Sequence, residues 1–131
     1  MGMTAAEALG RARKSLEIAE KLIDADIATA ANRIYNTGEN LGIAALLYVS
    51  GQIPKSHGKI WNAVHSLHQK GTLSKDYKPV LEQSYRLRIK GDYGRDLEGR
   101  DITITKEAVQ ELITSLKSFL KEVEALVERK L

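Results

Sequence analysis

The chain has no cysteine among its 131 residues, so disulfides and thiolate chemistry are excluded. No apolar run reaches the length of a membrane span, and the opening stretch MGMTAAEALGRARK lacks the pattern of a signal peptide. The expectation is a cytoplasmic protein with no membrane segment. No GxGxxG, phosphate loop or HExxH is present. No segment alternates cleanly enough to predict a strand, and there is no repeat, linker or low-complexity tract. Spacing alone makes no Ser-His-Asp set, and no acid–base pair stands out among the many Asp and Glu.

What remains suits one domain over residues 1–131. A chain this long can bury roughly two-thirds of its unfolded surface, so a core forms without staples. The net charge is +3. Residues 51–100 hold ten Lys plus Arg against five Asp plus Glu, whereas the rest hold ten against twelve. The basic excess therefore sits in the middle of the chain, which permits an anionic partner such as a nucleotide or RNA without requiring one.

Helical signals run the full length. Thr4 and Glu7 form a capping box ahead of the apolar stripe Leu9, Ala12, Leu16, Ala19 and Ile23, which predicts a helix over about 5–24. Asp24 or Asp26 can cap a second helix ending at Ser50, before Gly51. Pro54 marks a loop, Ser56 caps a third helix carrying Ile60, Trp61, Val64 and Leu67, and Gly71 ends it. Ser74 or Asp76 opens a fourth, with Pro79 tolerable in its first turn. Residues 94–104 read as a polar loop from which Ile102 and Ile104 can dock on the core. Thr105 opens the last helix, whose seam of Val109, Leu112, Leu116, Phe119, Val123 and Leu126 is widened by Ile113, Leu120 and Val127. Short connections between long helices predict an all-α, antiparallel up-and-down bundle of four to five helices.

Three places carry candidate chemistry. The second helix holds RIYNTGENLG at residues 33–42, in which Arg33, Asn36 and Asn40 recur at steps of three and four as one polar stripe. Gly38 and Gly42 weaken a helix interior by up to roughly 1 kcal/mol each. Their four-residue spacing makes a smooth strip for close helix packing. His65 and His68 share a helix face, and His57, Trp61 and His65 step by four, but two imidazoles so placed have no obvious third ligand, so no metal site is expected. SYRLRIKGDYG, residues 84–94, packs Arg86, Arg88 and Lys90 beside Asp92 and Tyr93. Guanidinium groups bind phosphate in bidentate fashion and tyrosine rings offer stacking surfaces. The plainer reading is a solvated basic face with an Arg88–Asp92 pair.

These stretches also carry a family resemblance. ALGRARKSLEIAEKLIDA, AANRIYNTGENLGIAALLYVSGQIPKSHG and LRIKGDYG, in that order, resemble the HEPN domain in its small prokaryotic form. The second stretch holds an Arg-x-Tyr, an AALL stretch, a Gly and a Pro-x-Ser-His, and the third resembles an LRxxADY segment. The resemblance implies a homodimeric bundle that binds a nucleotide or RNA and works with a small nucleotidyltransferase partner, toxin–antitoxin style, with no cofactor. It also implies a metal-independent ribonuclease in members where an Arg is followed by His four to six residues later. That motif is not intact here: Ile89, Lys90, Gly91, Asp92, Tyr93 and Gly94 follow Arg88.

The expected binding groove comprises Arg33, Tyr35, Asn36 and Asn40 facing Arg86, Arg88, Asp92 and Tyr93, with Lys55 and His57 from the loop. Arg88 and His57 are the candidate catalytic residues if an endoribonuclease with an unconventional base survives. A non-catalytic interaction bundle is the other alternative. Tyr93 is also a candidate acceptor for modification.

Overall fold

A computed structural model describes residues 2–93 and 104–128, with side chains up to Ile89 in the first stretch. Five helices follow one another: α1 Ala5–Leu22, α2 Ile27–Ser50, α3 His57–Gln69, α4 Lys78–Tyr93 and α5 Lys106–Val127. No strand occurs among the described residues, and the architecture is an all-α bundle. None of the described helices is long and apolar enough to cross a membrane.

Side chains set most of the helix starts. Thr4 caps α1 as expected, accepting from the Glu7 N–H, but its hydroxyl rather than its backbone N–H donates to Glu7 Oε1 at 3.1 Å, so the reciprocal bond differs from that of a capping box. Asp26, rather than Asp24, caps α2, taking the Thr29 N–H on Oδ1 and its hydroxyl on Oδ2. Ser56 caps α3 and Thr105 caps α5 in the same manner. α1 stops at Leu22, two residues short of the expected end. Its carbonyl takes both the Ala25 and the Asp26 N–H, turning the chain into the next cap. Gly51 closes α2 at φ 74°, with its N–H on the Leu47 carbonyl, a conformation that favours glycine.

α2 is the axis of the bundle and packs against each of the other four helices. Its core face presents Ala31, Ile34, Leu41, Ala44 and Ala45, all fully buried. The small strip allows close approach: a Cβ on Gly38 would meet Leu81 Cδ2 at 2.8 Å and Leu116 Cδ2 at 3.3 Å. On Gly42 it would meet Val64 Cγ2 at 3.1 Å. The two glycines therefore let α4, α5 and α3 seat on the central helix. α5 adds Leu116, Phe119 and Val123, none of them exposed. Burying a side chain of that size stabilises by about 1.5–3 kcal/mol. Tyr77, just before α4, stacks on Phe119 with centroids 4.3 Å apart and planes 8° from parallel.

The connection from α3 to α4 is bound to α5 through polar groups. Tyr77 donates its hydroxyl to Glu122 Oε2 and lies 3.0 Å from the Ser118 hydroxyl. The Ser74 N–H donates to the other Glu122 oxygen at 2.6 Å. Ile104 packs against the core ahead of α5 as expected, while Ile102 lies outside the described residues.

Candidate functional site

One polar and aromatic cluster forms where α2, α3 and α4 meet. α2 supplies Tyr35 and Glu39, four residues apart and so on one face. The Ser56 cap fixes the first turn of α3, which begins at His57 and brings Trp61 one turn later. α4 supplies Tyr85 and Arg88 from adjacent turns.

Tyr35 is fully buried, and its hydroxyl oxygen lies 2.7 Å from His57 Nδ1. The same nitrogen lies 2.8 Å from Glu39 Oε1. One imidazole nitrogen thus bridges a phenol and a carboxylate, with the His57 side chain 46% exposed and that of Glu39 20%. Tyr85 packs against three rings, with centroids 5.3 Å from Tyr35, 5.5 Å from His57 and 5.4 Å from Trp61. The Arg88 guanidinium carbon sits 5.3 Å from the centroid of the Tyr35 ring, a cation–π geometry. The cluster therefore joins a cation, an imidazole, a carboxylate and three further aromatic rings.

Burial pushes the Tyr35 phenol well above the usual tyrosine range, and the Glu39 charge adds to that. The Trp61 indole N–H and the Arg88 charge pull partly the other way. Tyr35 is thus neutral at any physiological pH. The Trp61 Nε1 is buried without a well-formed hydrogen bond, so its effect on Tyr35 is that of a nearby donor rather than a direct partner.

The sequence-derived candidates divide. Tyr35, His57 and Arg88 come together, and Lys55 is exposed two residues before His57. Asn36 and Asn40 bond along their own helix, to Asn32 Oδ1 at 3.3 Å and to the Asn36 carbonyl at 2.8 Å. Arg33 precedes Tyr35 by two positions, about 200° around the helix, and so leaves α2 from the far side. It is half-buried and its Nε has no hydrogen-bond partner. Arg86 is separated from Arg88 in the same way; it lines a groove between α4 and α5 with Gln83, Leu87, Ala108, Glu111 and Leu112. The side chains of Asp92 and Tyr93 lie outside the described residues.

Glu39, Trp61 and Tyr85 belong to the cluster but are not among the sequence-derived site residues. A signal for each exists: Glu39 is four after Tyr35, Trp61 four after His57, and Tyr85 three before Arg88. The other histidines serve the α3–α4 connection. His65 Nδ1 lies 2.9 Å from Asp76 Oδ2, and His68 Nδ1 donates to the Leu73 carbonyl at 3.1 Å. Burial works to raise Asp76, but hydrogen bonds from the Lys78 N–H and His65 outweigh it, leaving the carboxyl below its usual range. Among the described residues no group of three or more His, Asp or Glu side chains is placed to hold a metal ion.

Compared with curated proteins, the chain has no match. Compared with protein families, it matches the HEPN domain over residues 5–126, nearly its whole length and all five helices. The match takes in the Arg-x-Tyr of α2, the His57 start of α3 and the arginines of α4 together, and the chain belongs to the HEPN family.

Proposed function

We propose that the domain binds a nucleotide or RNA phosphate at the α2–α3–α4 junction and acts with a nucleotidyltransferase partner in a toxin–antitoxin-type pair. The observation that carries the binding is the Arg88 guanidinium laid over Tyr35 in one cluster with His57, Tyr85 and Trp61. A cation among edge-packed aromatic rings is suited to a ligand that is both anionic and aromatic. Membership in the HEPN family and the basic middle of the chain support the same reading. The protein works as a homodimer, with a second copy completing the surface around the site.

Titration with ATP and with a short single-stranded RNA, each at low and at high salt, tests the binding. Affinity falls as salt rises, because phosphate contacts release counterions. Arg88→Gln weakens it by about tenfold or more, the usual effect of losing a charge-assisted hydrogen bond. Absence of binding to either ligand at low salt overturns the proposal and leaves a bundle that serves only as an interaction scaffold. Co-expression with a nucleotidyltransferase encoded beside the gene, followed by size-exclusion chromatography, tests the partner; independent elution removes it.

A metal-independent endoribonuclease is the second reading. It is favoured by His57, an imidazole hydrogen-bonded to Glu39 and to the hydroxyl of Tyr35, the ring over which the Arg88 guanidinium lies. Incubation with structured RNA in EDTA decides it: cleavage by the wild type that is lost in Arg88→Ala supports the nuclease, and intact RNA removes it.

A further inference from the structure

One strip of α2 stays partly open although the helix touches all four neighbours. It runs through Asn32, Arg33, Asn36, Glu39 and Asn40, all polar and all half-buried. Helical geometry places Asn36 midway between Arg33 and Glu39, about 60° from each around the helix and about 4.5 Å from each along it. Three groups on the strip have unused bonding capacity. The Arg33 guanidinium makes no hydrogen bond or ion pair with any described residue, and its Nε is shielded from solvent. Glu39 gives Oε1 to His57 Nδ1, while its Oε2 has no partner among the described residues. The Asn36 amide donates once, to Asn32 Oδ1, and its own oxygen accepts nothing from them. A cation drawn partly out of water needs acceptors in return, and none of the described residues supplies one to Arg33.

We propose that two copies of the chain join through this strip, antiparallel about Asn36, and that the partner's Arg33 completes the junction cluster by pairing with Glu39 Oε2. This inference rests on the homodimer reading above and names the surface it uses. Two antiparallel helices related by a two-fold axis through position 36 set each residue after it against the residue equally far before it. Arg33 then faces the partner's Glu39, and Glu39 faces the partner's Arg33. Asn32 meets the partner's Asn40, and Asn36 meets its own copy. Further out, Ile43 meets the methyl group of the partner's Thr29. None of these pairs sets like charges together. Helix axes about 8–10 Å apart leave the cross-pair within the reach of an arginine side chain. A phosphate on this strip would answer Arg33 but be repelled by Glu39. A strip with one charge of each sign, equally far from a central amide, is its own complement. The amides fix the register, because any sliding leaves polar groups unpaired. The contact also bears on the site. Glu39 holds His57 through Oε1, so a guanidinium on Oε2 fixes the carboxylate on which that imidazole rests.

Charge exchange tests the register. The wild type sediments as a dimer. Arg33→Glu sets carboxylates together at both ends of the strip, and Glu39→Arg does the same with guanidinium groups. Each variant alone weakens the dimer by about tenfold or more. Mixed, the two variants form a heterodimer in which both pairs are restored, seen in native mass spectrometry as a species of intermediate mass. Pairing within one chain cannot give this result, because Arg33 and Glu39 lie about 120° apart on their helix. Single variants that stay dimeric, or a mixture that does not associate, overturn the proposal and leave the homodimer to another surface. A monomeric wild type sinks both and leaves the strip to a different protein. Phosphate binding is untouched by either result, since the salt titrations test it. Where thermal melts show a charge variant unfolded, a cross-link decides instead. The chain has no cysteine, so Asn36→Cys puts its one thiol on the two-fold axis, where two copies link under mild oxidation. Lys14→Cys, on the exposed side of α1, does not link. A dimeric Asn36→Cys protein that fails to link overturns the proposal.

Discussion

Tyr77 joins two kinds of stabilisation in one side chain, a ring stacked on Phe119 and a hydroxyl committed to Glu122 and Ser118. Burial pushes its phenol up to about 12, and the bond to Glu122 acts in the same direction. The neutral phenol is thus favoured in the folded state. The stability it contributes is complete below pH ~10, the ordinary tyrosine value, and is lost as pH rises toward about 12. Tyr77→Phe keeps the stacked ring but leaves the partly buried Glu122 without that donor. It should cost about 1–3 kcal/mol in urea unfolding at neutral pH and flatten the alkaline limb of the stability profile. The acid side has the opposite sign. For Glu122, hydrogen bonds from Tyr77 and the Ser74 N–H overcome burial and lower the carboxyl. Asp76 and Asp26 are lowered too. Their contribution is present above the usual carboxylate pKa of about 4 and is lost as pH falls through the folded values. Unfolding should therefore set in below pH ~4, and Glu122→Gln should shift that onset toward lower pH.

At the scale of the helix, two glycines in similar positions by sequence should respond in opposite directions. Gly10 lies on the exposed side of α1, with nothing within 4 Å of a built Cβ. Gly10→Ala should stabilise by up to ~1 kcal/mol through helix propensity alone. At Gly38 a methyl group would press on Leu81 and Leu116, both fully buried and fixed by their neighbours. Overpacking of that kind costs about 1–3 kcal/mol, against the same gain of up to ~1, so Gly38→Ala should be a net loss. Paired thermal melts check both. Ser56→Ala should cost about 1 kcal/mol by removing the α3 cap. It should also loosen His57, broadening that residue's imidazole resonances. Helices and caps could be read in the sequence because they depend on neighbours three or four positions away. That is why Thr4, Ser56, Gly51 and Thr105 were legible, and why Asp24 against Asp26 was left open. The cluster was legible only in part. Tyr35, His57 and Arg88 lie on three helices, and the rotation of each about its axis is set by tertiary packing. Arg33 and Arg86 are near the chosen residues in sequence but leave their helices from other sides.

For the molecule as a whole, the joint between α1 and α5 looks electrostatic but should contribute little. Arg13 pairs with Glu124 and Glu128, Lys106 with Asp24 and Lys117 with Glu20, all at exposed positions except the half-buried Glu124. Pairs of this kind are worth about 0–1 kcal/mol each, so Arg13→Ala should lower urea stability by less than ~1 kcal/mol. Phe119→Ala, at a site with no exposure, should cost about 3–5 kcal/mol. The packing of α2 against all four other helices has a kinetic counterpart. No neighbour can detach without uncovering part of that central rod, and none shields it alone. Its mid-helix amides around Leu41 should therefore exchange with deuterium last, and only through complete unfolding. The buried Tyr35 would then ride on the slowest-opening segment in the protein, while its partner His57, at the first turn of α3, sits where fraying begins.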